Sequence, residues 1–343
     1  MTTATESLLG ESNAFLEIIE QASRLAPLRK PVLIIGERGT GKELIAHRLH
    51  YLSARWDQSF VTINCATLSE SLLETELFGH EAGSFTGAAK RHQGRFERAD
   101  GGTLFLDELA TTSARVQEKL LRVIEYGEFE RVGGAKALKV DVRLVCATNE
   151  DLPALADRGD FRHDLLDRLA FDVITLPPLR ERREDILMLA EHFAHSMTRE
   201  LGYPLFAGFS RKATQLLQDY PWPGNVRELK NVVERSIYRQ GNPQLPLSEL
   251  VLNPFDSPWR PRPRASLAAT LEEPPQLTTQ APPALPLDLK HAVAEYEINL
   301  LKQAMQQSQY NQRKAAQLLA LSYHQFRGML RKYQLLDSDN DAD

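Results

Sequence analysis

Through the first half of the chain, short unbroken apolar runs alternate with stretches of helical pattern. The runs are PVLII (31–35), FVTIN (60–64), TLFLD (103–107), VRLVC (142–146) and DVITL (172–176). Near-continuous apolar strands of this kind are buried on both faces, so they predict a parallel sheet covered by helices on either side. From about Glu184 the strand pattern stops. REDILMLAEHFAHSMTREL, RKATQLLQDY and NVRELKNVVERSIYRQ follow, separated by Pro and Gly, and each reads as a helix. The expected architecture is an α/β core followed by a small helical lid.

Beyond the lid the pattern dissolves. Pro254, Pro258, Pro261, Pro263, Pro274, Pro275, Pro282, Pro283 and Pro286 interrupt any helix, which predicts an extended linker with a basic RPRPR centre. Helical pattern returns over residues 287–336, and the acidic tail DSDNDAD closes the chain. The expected organisation is a core over 1–180, a lid over 181–250, a Pro-rich linker over 251–286 and an all-α module over 287–336.

Composition narrows the class. A chain of 343 residues has room for a sizeable core and a second domain. It has 42% hydrophobic and 25% charged residues, as soluble globular proteins do, and a net charge of -5. No apolar run approaches the roughly 20 residues that span a bilayer, and the N-terminus lacks a signal-peptide pattern. Cys65 and Cys146 both fall in apolar strand-like stretches, which reads as two buried reduced thiols in a cytoplasmic protein.

The candidate chemistry begins with Gly36-Glu37-Arg38-Gly39-Thr40-Gly41-Lys42-Glu43, which follows the first strand and opens a helix. Glycines there let the backbone wrap a phosphate, and the helix N-terminus adds N–H donors and the positive end of its dipole. Gly39, Thr40 and Gly41 would form the amide cradle, and Lys42 would reach the β- and γ-phosphates of ATP. Glu43 stands where a P-loop usually carries the Ser or Thr that binds Mg²⁺. In GGTLFLDE a second apolar strand ends in Asp107 and Glu108, at the sheet edge where α/β ligands collect. Asp107 would hold Mg²⁺, directly or through water, and Glu108 would act as general base on the attacking water. Asn64 ends the neighbouring strand; it either hydrogen-bonds Glu108 in one nucleotide state or serves as a strand-end turn residue.

These motifs, together with GSFTGA (83–88) between ELFGHEA and GRFERADGGTLFLDE, resemble the bacterial enhancer-binding AAA+ ATPases that activate sigma-54 RNA polymerase. In that family Glu commonly follows the P-loop lysine. The resemblance covers about residues 7–240 and 290–335. It implies sensor I at Thr148 and Asn149 in VCATN, and arginine fingers at Arg162 and Arg168 acting on a neighbouring subunit's site. It also implies sensor II at Arg227 in WPGNVREL. It makes Gly83, Ser84, Phe85, Thr86, Gly87 and Ala88 the tip of a loop that contacts sigma-54, with Phe85 as apolar anchor and Ser84 replacing the family's alanine. A second loop is expected around Arg131, Val132, Gly133 and Gly134.

At the C-terminus, AAQLLALSYHQFRGMLRKYQL reads helix, turn, helix. Residues 311–333 carry Arg313, Lys314, Arg327, Arg331 and Lys332 with no Asp or Glu, an electrostatic footprint for DNA within an acidic chain. Tyr323, His324, Gln325 and Arg327 would meet base edges, and Arg331 and Lys332 phosphates. The module resembles the Fis-type helix-turn-helix of the same activators, with Ala320 where a turn glycine is usual; a small protein-binding bundle is the alternative. The broad apolar stripe over residues 289–307 suggests a dimer interface.

The reading is an ATP-hydrolysing, Mg²⁺-dependent activator that binds enhancer DNA as a dimer. It assembles into a ring, expected to be hexameric, and remodels the sigma-54 polymerase. The ATPase pattern starts near residue 7, leaving no room for a receiver domain. The layout is most similar to the phage shock activators, which implies phage shock target genes and a phage shock protein A-type inhibitor near Trp56, provided Trp56 is exposed rather than half-buried. An AAA+-fold repressor and an AAA+ remodeller with another client are the competing classes.

Overall fold

A computed structural model of the chain describes residues 8–85, 88, 90–257, 259, 260, 289–308, 311–333 and 335. They form two compact units, split between Asp256 and Ser257. In the first unit α1 (Asn13–Leu25) leads into β1 (Val32–Ile35), and α2 (Lys42–Tyr51) into β2 (Phe60–Asn64). Then come α3 (Glu70–Phe78), α4 (Arg95–Arg98), β3 (Thr103–Asp107) and α5 (Ala114–Tyr126). A hairpin of β4 (Glu128–Glu130) and β5 (Ala137–Lys139) precedes β6 (Arg143–Thr148), α6 (Leu152–Asp157), α7 (His163–Leu169) and β7 (Val173–Thr175).

The expected strands all form. They make a five-stranded sheet in the order β2-β3-β6-β1-β7, and every pairing is parallel. Successive side chains of a strand point to opposite faces, and here both faces are dry. Leu104 and Leu106 of β3 join a cluster with Leu77, Leu120 and Leu165, from α3, α5 and α7. Phe105, between them, packs on the other face with Ala22 of α1 and Ile45 and Leu49 of α2. The short β4–β5 hairpin was not expected: strands of three residues are too brief to establish a period.

Arg143 begins β6 almost fully buried and without an acidic partner among the described residues. Its guanidinium instead donates to the carbonyls of Leu25 (3.0 Å), Ala26 (2.6 Å) and Leu49 (3.1 Å). These carbonyls lie at or near the C-terminal ends of α1 and α2, where helix dipoles favour a cation. Burial, assisted by nearby Arg55, pulls the Arg143 pKa down to about 10.

The lid consists of α8 (Arg183–Glu200), α9 (Arg211–Asp219) and α10 (Asn225–Gln240) around fully buried Trp222. Leu9, Leu250 and Leu252 pack onto the same cluster. One polar rivet fixes the lid to the N-terminal end of α1. The Asp185 carboxylate accepts from the Glu11 N–H (2.7 Å), the Ser12 N–H (2.8 Å) and the Ser12 hydroxyl (2.7 Å). It also accepts from Arg182 Nε at 2.8 Å, and the Arg182 guanidinium stacks over the Phe15 ring at 3.8 Å.

In the second unit α11 (Leu289–Gln307), α12 (Gln312–Leu318) and α13 (Tyr323–Lys332) enclose Leu301, Ala304, Ala315, Ala316, Phe326 and Leu330. Asn311 caps α12, and Ser322 with Gln325 forms a capping box on α13. The turn between these two helices does hold a residue in left-handed backbone, Ala320 at φ 51°. Of the linker expected over 251–286, residues 251–257, 259 and 260 are described, and Leu252 still packs on the lid core; the rest of it and the acidic tail lie outside the described residues.

Asp185 is 0% and Arg182 2% exposed, so removing the carboxylate strands a buried guanidinium and three donors. Asp185→Ala should cost about 3–5 kcal/mol by urea denaturation. Burial pushes the Asp185 pKa up, but hydrogen bonds from Ser12, Glu11 and Arg182 outweigh it and hold the pKa below the usual value. Its stabilisation is therefore complete above the unfolded aspartate pKa near 4 and lost as pH falls through the lower folded value. Asp185→Asn should flatten the acid limb of the stability curve.

Candidate functional site

The sheet register gathers the candidate residues along the carboxyl edge of the strands. Ile35, just before the P-loop, pairs with Thr148, and Asn64 pairs with Asp107. Gly36 donates its N–H to the Thr148 carbonyl at 3.2 Å. The Lys42 ammonium is folded back on the loop, donating to the carbonyls of Gly36 (2.8 Å) and Glu37 (3.3 Å). Burial lowers the Lys42 pKa, and the charges of Glu108 and Asp107 oppose that fall. Arg227 and Arg38 add to the lowering, so both put positive charge toward the same lysine. Gly41, the N-cap of α2, sits at φ 98° without any side-chain cap, which leaves the first-turn N–H groups of α2 to the loop's interior.

Asp107 is held from two sides. Asn64 Nδ2 donates to its Oδ2 at 2.9 Å, and the Glu108 N–H donates to its Oδ1 at 3.0 Å. Of the two readings of Asn64, the turn residue is seen, its Oδ1 accepting the Ala66 N–H at 2.9 Å, and its Nδ2 meets Asp107 rather than Glu108. The register explains it: residues paired on adjacent parallel strands carry neighbouring side chains. Glu108 itself takes left-handed backbone at φ 53° and lies 3.9 Å from Arg38 Nε. Thr148 is fully buried with its hydroxyl accepting from the Glu150 N–H at 3.0 Å, and Asn149 follows at the strand end, half-buried. A set of three or more His, Cys, Asp or Glu side chains that could hold a metal ion is absent among the described residues.

The lid closes on the P-loop through a residue that sequence reasoning did not single out. Asn225 is fully buried at φ 53°; its Nδ2 donates to Glu37 Oε2 (3.1 Å) and the Arg38 carbonyl (3.0 Å). Its Oδ1 accepts from the Leu179 N–H at 2.8 Å. Arg180 adds a paired contact to Glu37, at 3.0 and 2.7 Å, and with Asn225 it holds the Glu37 pKa below the usual range. The signal was the Trp-Pro-Gly-Asn turn: Asn tolerates left-handed backbone and can bond neighbouring backbone from there. Arg227, in the same first turn of α10, is exposed, and its N–H meets the Gly39 carbonyl at 3.4 Å.

The two expected finger arginines lie together at α7. Arg162 stands just before its first residue, without a side-chain capping bond, and pairs with Asp164 (3.0 and 2.6 Å); Arg168 pairs with Glu125 of α5 at 2.9 Å. Both are exposed, and both are engaged within this chain by acids outside the P-loop.

Phe85 is 47% exposed and rests edge-on against the His80 ring, 4.9 Å away, so it is no core residue. Gly83 sits at φ 81° with open space around it, and its N–H donates to the Ala88 carbonyl at 2.7 Å. Thr86 and Gly87 lie outside the described residues. Ser84 packs against the second loop: a Cβ on Gly133 would lie 2.5 Å from the Ser84 Cβ. Below both loops Arg131 is clamped between Glu81 (2.6 Å) and Glu97 (2.9 and 2.5 Å), which drives its pKa upward.

The profile of the family described as "Sigma-54 interaction domain" matches residues 8–175, and that of "AAA+ ATPase lid domain" matches residues 180–256. The "Psp operon transcriptional activator" of Escherichia coli (strain K12) is 61% identical over 98% of this chain and its own full length. The chain belongs to the sigma-54 activator family. A "Nif-specific regulatory protein" of Azospirillum brasilense is 54% identical over 64% of this chain, a stretch that makes up 35% of that regulator. Among solved structures, NtrX from Brucella abortus in complex with ATP matches with a TM-score of 0.66 at 32% identity, over 95% of this chain and 69% of that one. This sigma-54 activator is thus an AAA+ ATPase with a parallel sheet and a helical lid, as expected, and its sigma-54 partner follows from the family.

The family profiles stop at residue 256, and the second unit is described from its own geometry. His324, Gln325, Arg327, Arg331 and Lys332 are exposed on α13, and half-buried Tyr323 lies 5.9 Å from the Arg313 guanidinium. Lys332 and Tyr333 both reach Glu297 of α11, so Lys332 is partly neutralised. Gln325 spends its Oε1 on the Ser322 N–H and hydroxyl in the capping box. Val293 and Tyr296 leave an exposed apolar stripe on α11.

Gly39 tests the coupling of lid to loop. It sits at φ 79°, and an added Cβ would lie 2.4 Å from the Gly224 carbonyl oxygen and 3.1 Å from the Arg227 Cβ. Gly39→Ala should therefore destabilise the first unit by about 1–3 kcal/mol. It should weaken ATP binding by a comparable factor, measured by titration calorimetry beside a melting curve.

Proposed function

We propose that the residues at the strand edge act as one ATP-hydrolysing site whose stroke is delivered through the Phe85 loop to sigma-54. The observation that carries this reading is the convergence of Lys42, Asp107 and Glu108 at one sheet edge beneath a lid tied to the P-loop. Gly36 to Glu43 would wrap the phosphates, with Lys42 leaving the Gly36 and Glu37 carbonyls for phosphate oxygens. Arriving negative charge offsets the burial that now lowers its pKa. Asp107, fixed by Asn64, would hold Mg²⁺, which neutralises phosphate charge when bound. Glu108 takes a proton from water as the water oxygen bonds to the γ-phosphorus. The bond from that phosphorus to the β,γ-bridging oxygen breaks, and ADP leaves with the electron pair. Thr148 and Asn149 would report the γ-phosphate, and Arg227 would carry its loss into the lid.

Arg162 and Arg168 would serve a neighbouring subunit, exchanging Asp164 and Glu125 for transition-state charge. That role requires a self-assembled ring, for which a hexamer is the proposed size. The second unit would bind enhancer DNA as a dimer through the α11 stripe and α13, directing the activity to phage shock genes. Trp56 is 63% exposed beside exposed Tyr51 and Leu52, a surface suited to a phage shock protein A-type inhibitor.

Glu108→Gln should lower kcat for ATP by roughly 10²- to 10⁴-fold, and Arg168→Ala should be similarly inactive. Mixing the two variants should restore part of the turnover if the finger acts across subunits; mixtures as inactive as their parts would place Arg168 outside the site. Loaded with ADP and a metal-fluoride mimic, the wild-type protein should co-migrate with sigma-54 on a native gel. Phe85→Ala should lose that complex, and a complex that persists would remove Phe85 from the interface.

A further inference from the structure

We infer that Gly328 is the point of closest approach between α13 and duplex DNA, and that its missing side chain sets the depth at which the helix sits in the groove. The inference rests on the DNA-binding reading of the second unit. A glycine in a helix interior weakens that helix relative to alanine, so it needs a reason. The fold supplies none. Gly328 does not take left-handed backbone, because the glycines that do so lie elsewhere in the chain. A Cβ built on it would meet nothing within 4 Å, so no neighbouring element presses on it. It is exposed, while Phe326 and Leu330 on either side turn into the core.

Its surroundings point outward to a ligand. Residues three and four positions away on a helix share its face. For Gly328 these are His324 and Gln325 on one side, and Arg331 and Lys332 on the other, all exposed. The capping box fixes Gln325 through its Oε1 and leaves the Nε2 donor for an acceptor on a base edge, such as guanine O6 or N7. Gly328 is thus a flat gap between a base-reading turn and a phosphate-holding turn. A backbone bare of side chain lets another surface come close. A methyl group in the gap would lift the whole helix, lengthening the base contacts above it and the phosphate contacts below it together.

The test uses the full chain. A sequence is selected from a pool of randomised duplexes by the wild-type protein, and affinities are then measured for that duplex and for a random one. Gly328→Ala should bind the selected duplex roughly tenfold or more weakly. Binding to the random duplex should change far less, because phosphate attraction tolerates a small shift in depth. The variant's melting temperature should not fall, which separates the loss from unfolding. Equal or tighter binding of the selected duplex would overturn the inference, and so would a lower melting temperature, since that would reveal a structural need for glycine. If the wild-type protein enriches no sequence, the DNA reading fails and this inference with it. That result is distinguishable because no reference site would exist.

Discussion

A loop that must cradle phosphate has to leave its own N–H groups unpaired until the ligand arrives, and much of the first unit answers to that constraint. An open loop cannot stabilise itself, so its shape is imposed from outside. The sheet holds one end, through the Gly36 N–H on the Thr148 carbonyl. The Lys42 ammonium holds the carbonyls inside, and Asn225 of the lid holds the other side through Glu37 and Arg38. Apart from the Gly36 N–H, these supports use the loop's carbonyls and side chains. The left-handed backbone of Asn225 and Trp222 is strain of the kind that collects at sites where geometry has to be overdetermined.

The sheet was legible because burial on both faces writes itself as an unbroken apolar run, and all five runs became strands. The P-loop, Asp107 and Glu108 were legible because each follows such a strand, so local order already fixed their place on its edge. Contacts between distant segments were not. Asn225 lies 188 residues from Glu37, and a buried amide that joins them leaves no periodic trace. Arg143 and Asp185 escaped for the same reason: a charged residue in a sequence reads as surface until its partners are known. Asn64 was read either toward Glu108 or as a strand-end turn residue; its Oδ1 does accept the Ala66 N–H as a turn residue's would, while its Nδ2 goes to Asp107, a choice that only strand alignment could decide.

The two tip loops share one foundation. Arg131 joins Glu81, just before GSFTGA, to Glu97, just after it, while itself standing at the start of the second loop. A guanidinium so enclosed is stabilised by its two carboxylates and would be costly with either one removed. Above it the tip is held more lightly, by the packing of Ser84 on Gly133 and of Phe85 on His80. The Ser84 hydroxyl is buried there with no hydrogen-bond partner among the described residues.

The lid meets the core through polar contacts far apart in sequence: Asp185 on the start of α1, and Asn225 and the Arg227 N–H on the P-loop. These contacts fall into two groups, one at the start of α1 and one at the P-loop. The three lid helices share one core around Trp222, so a displacement that starts at Glu37 is passed to all of them together.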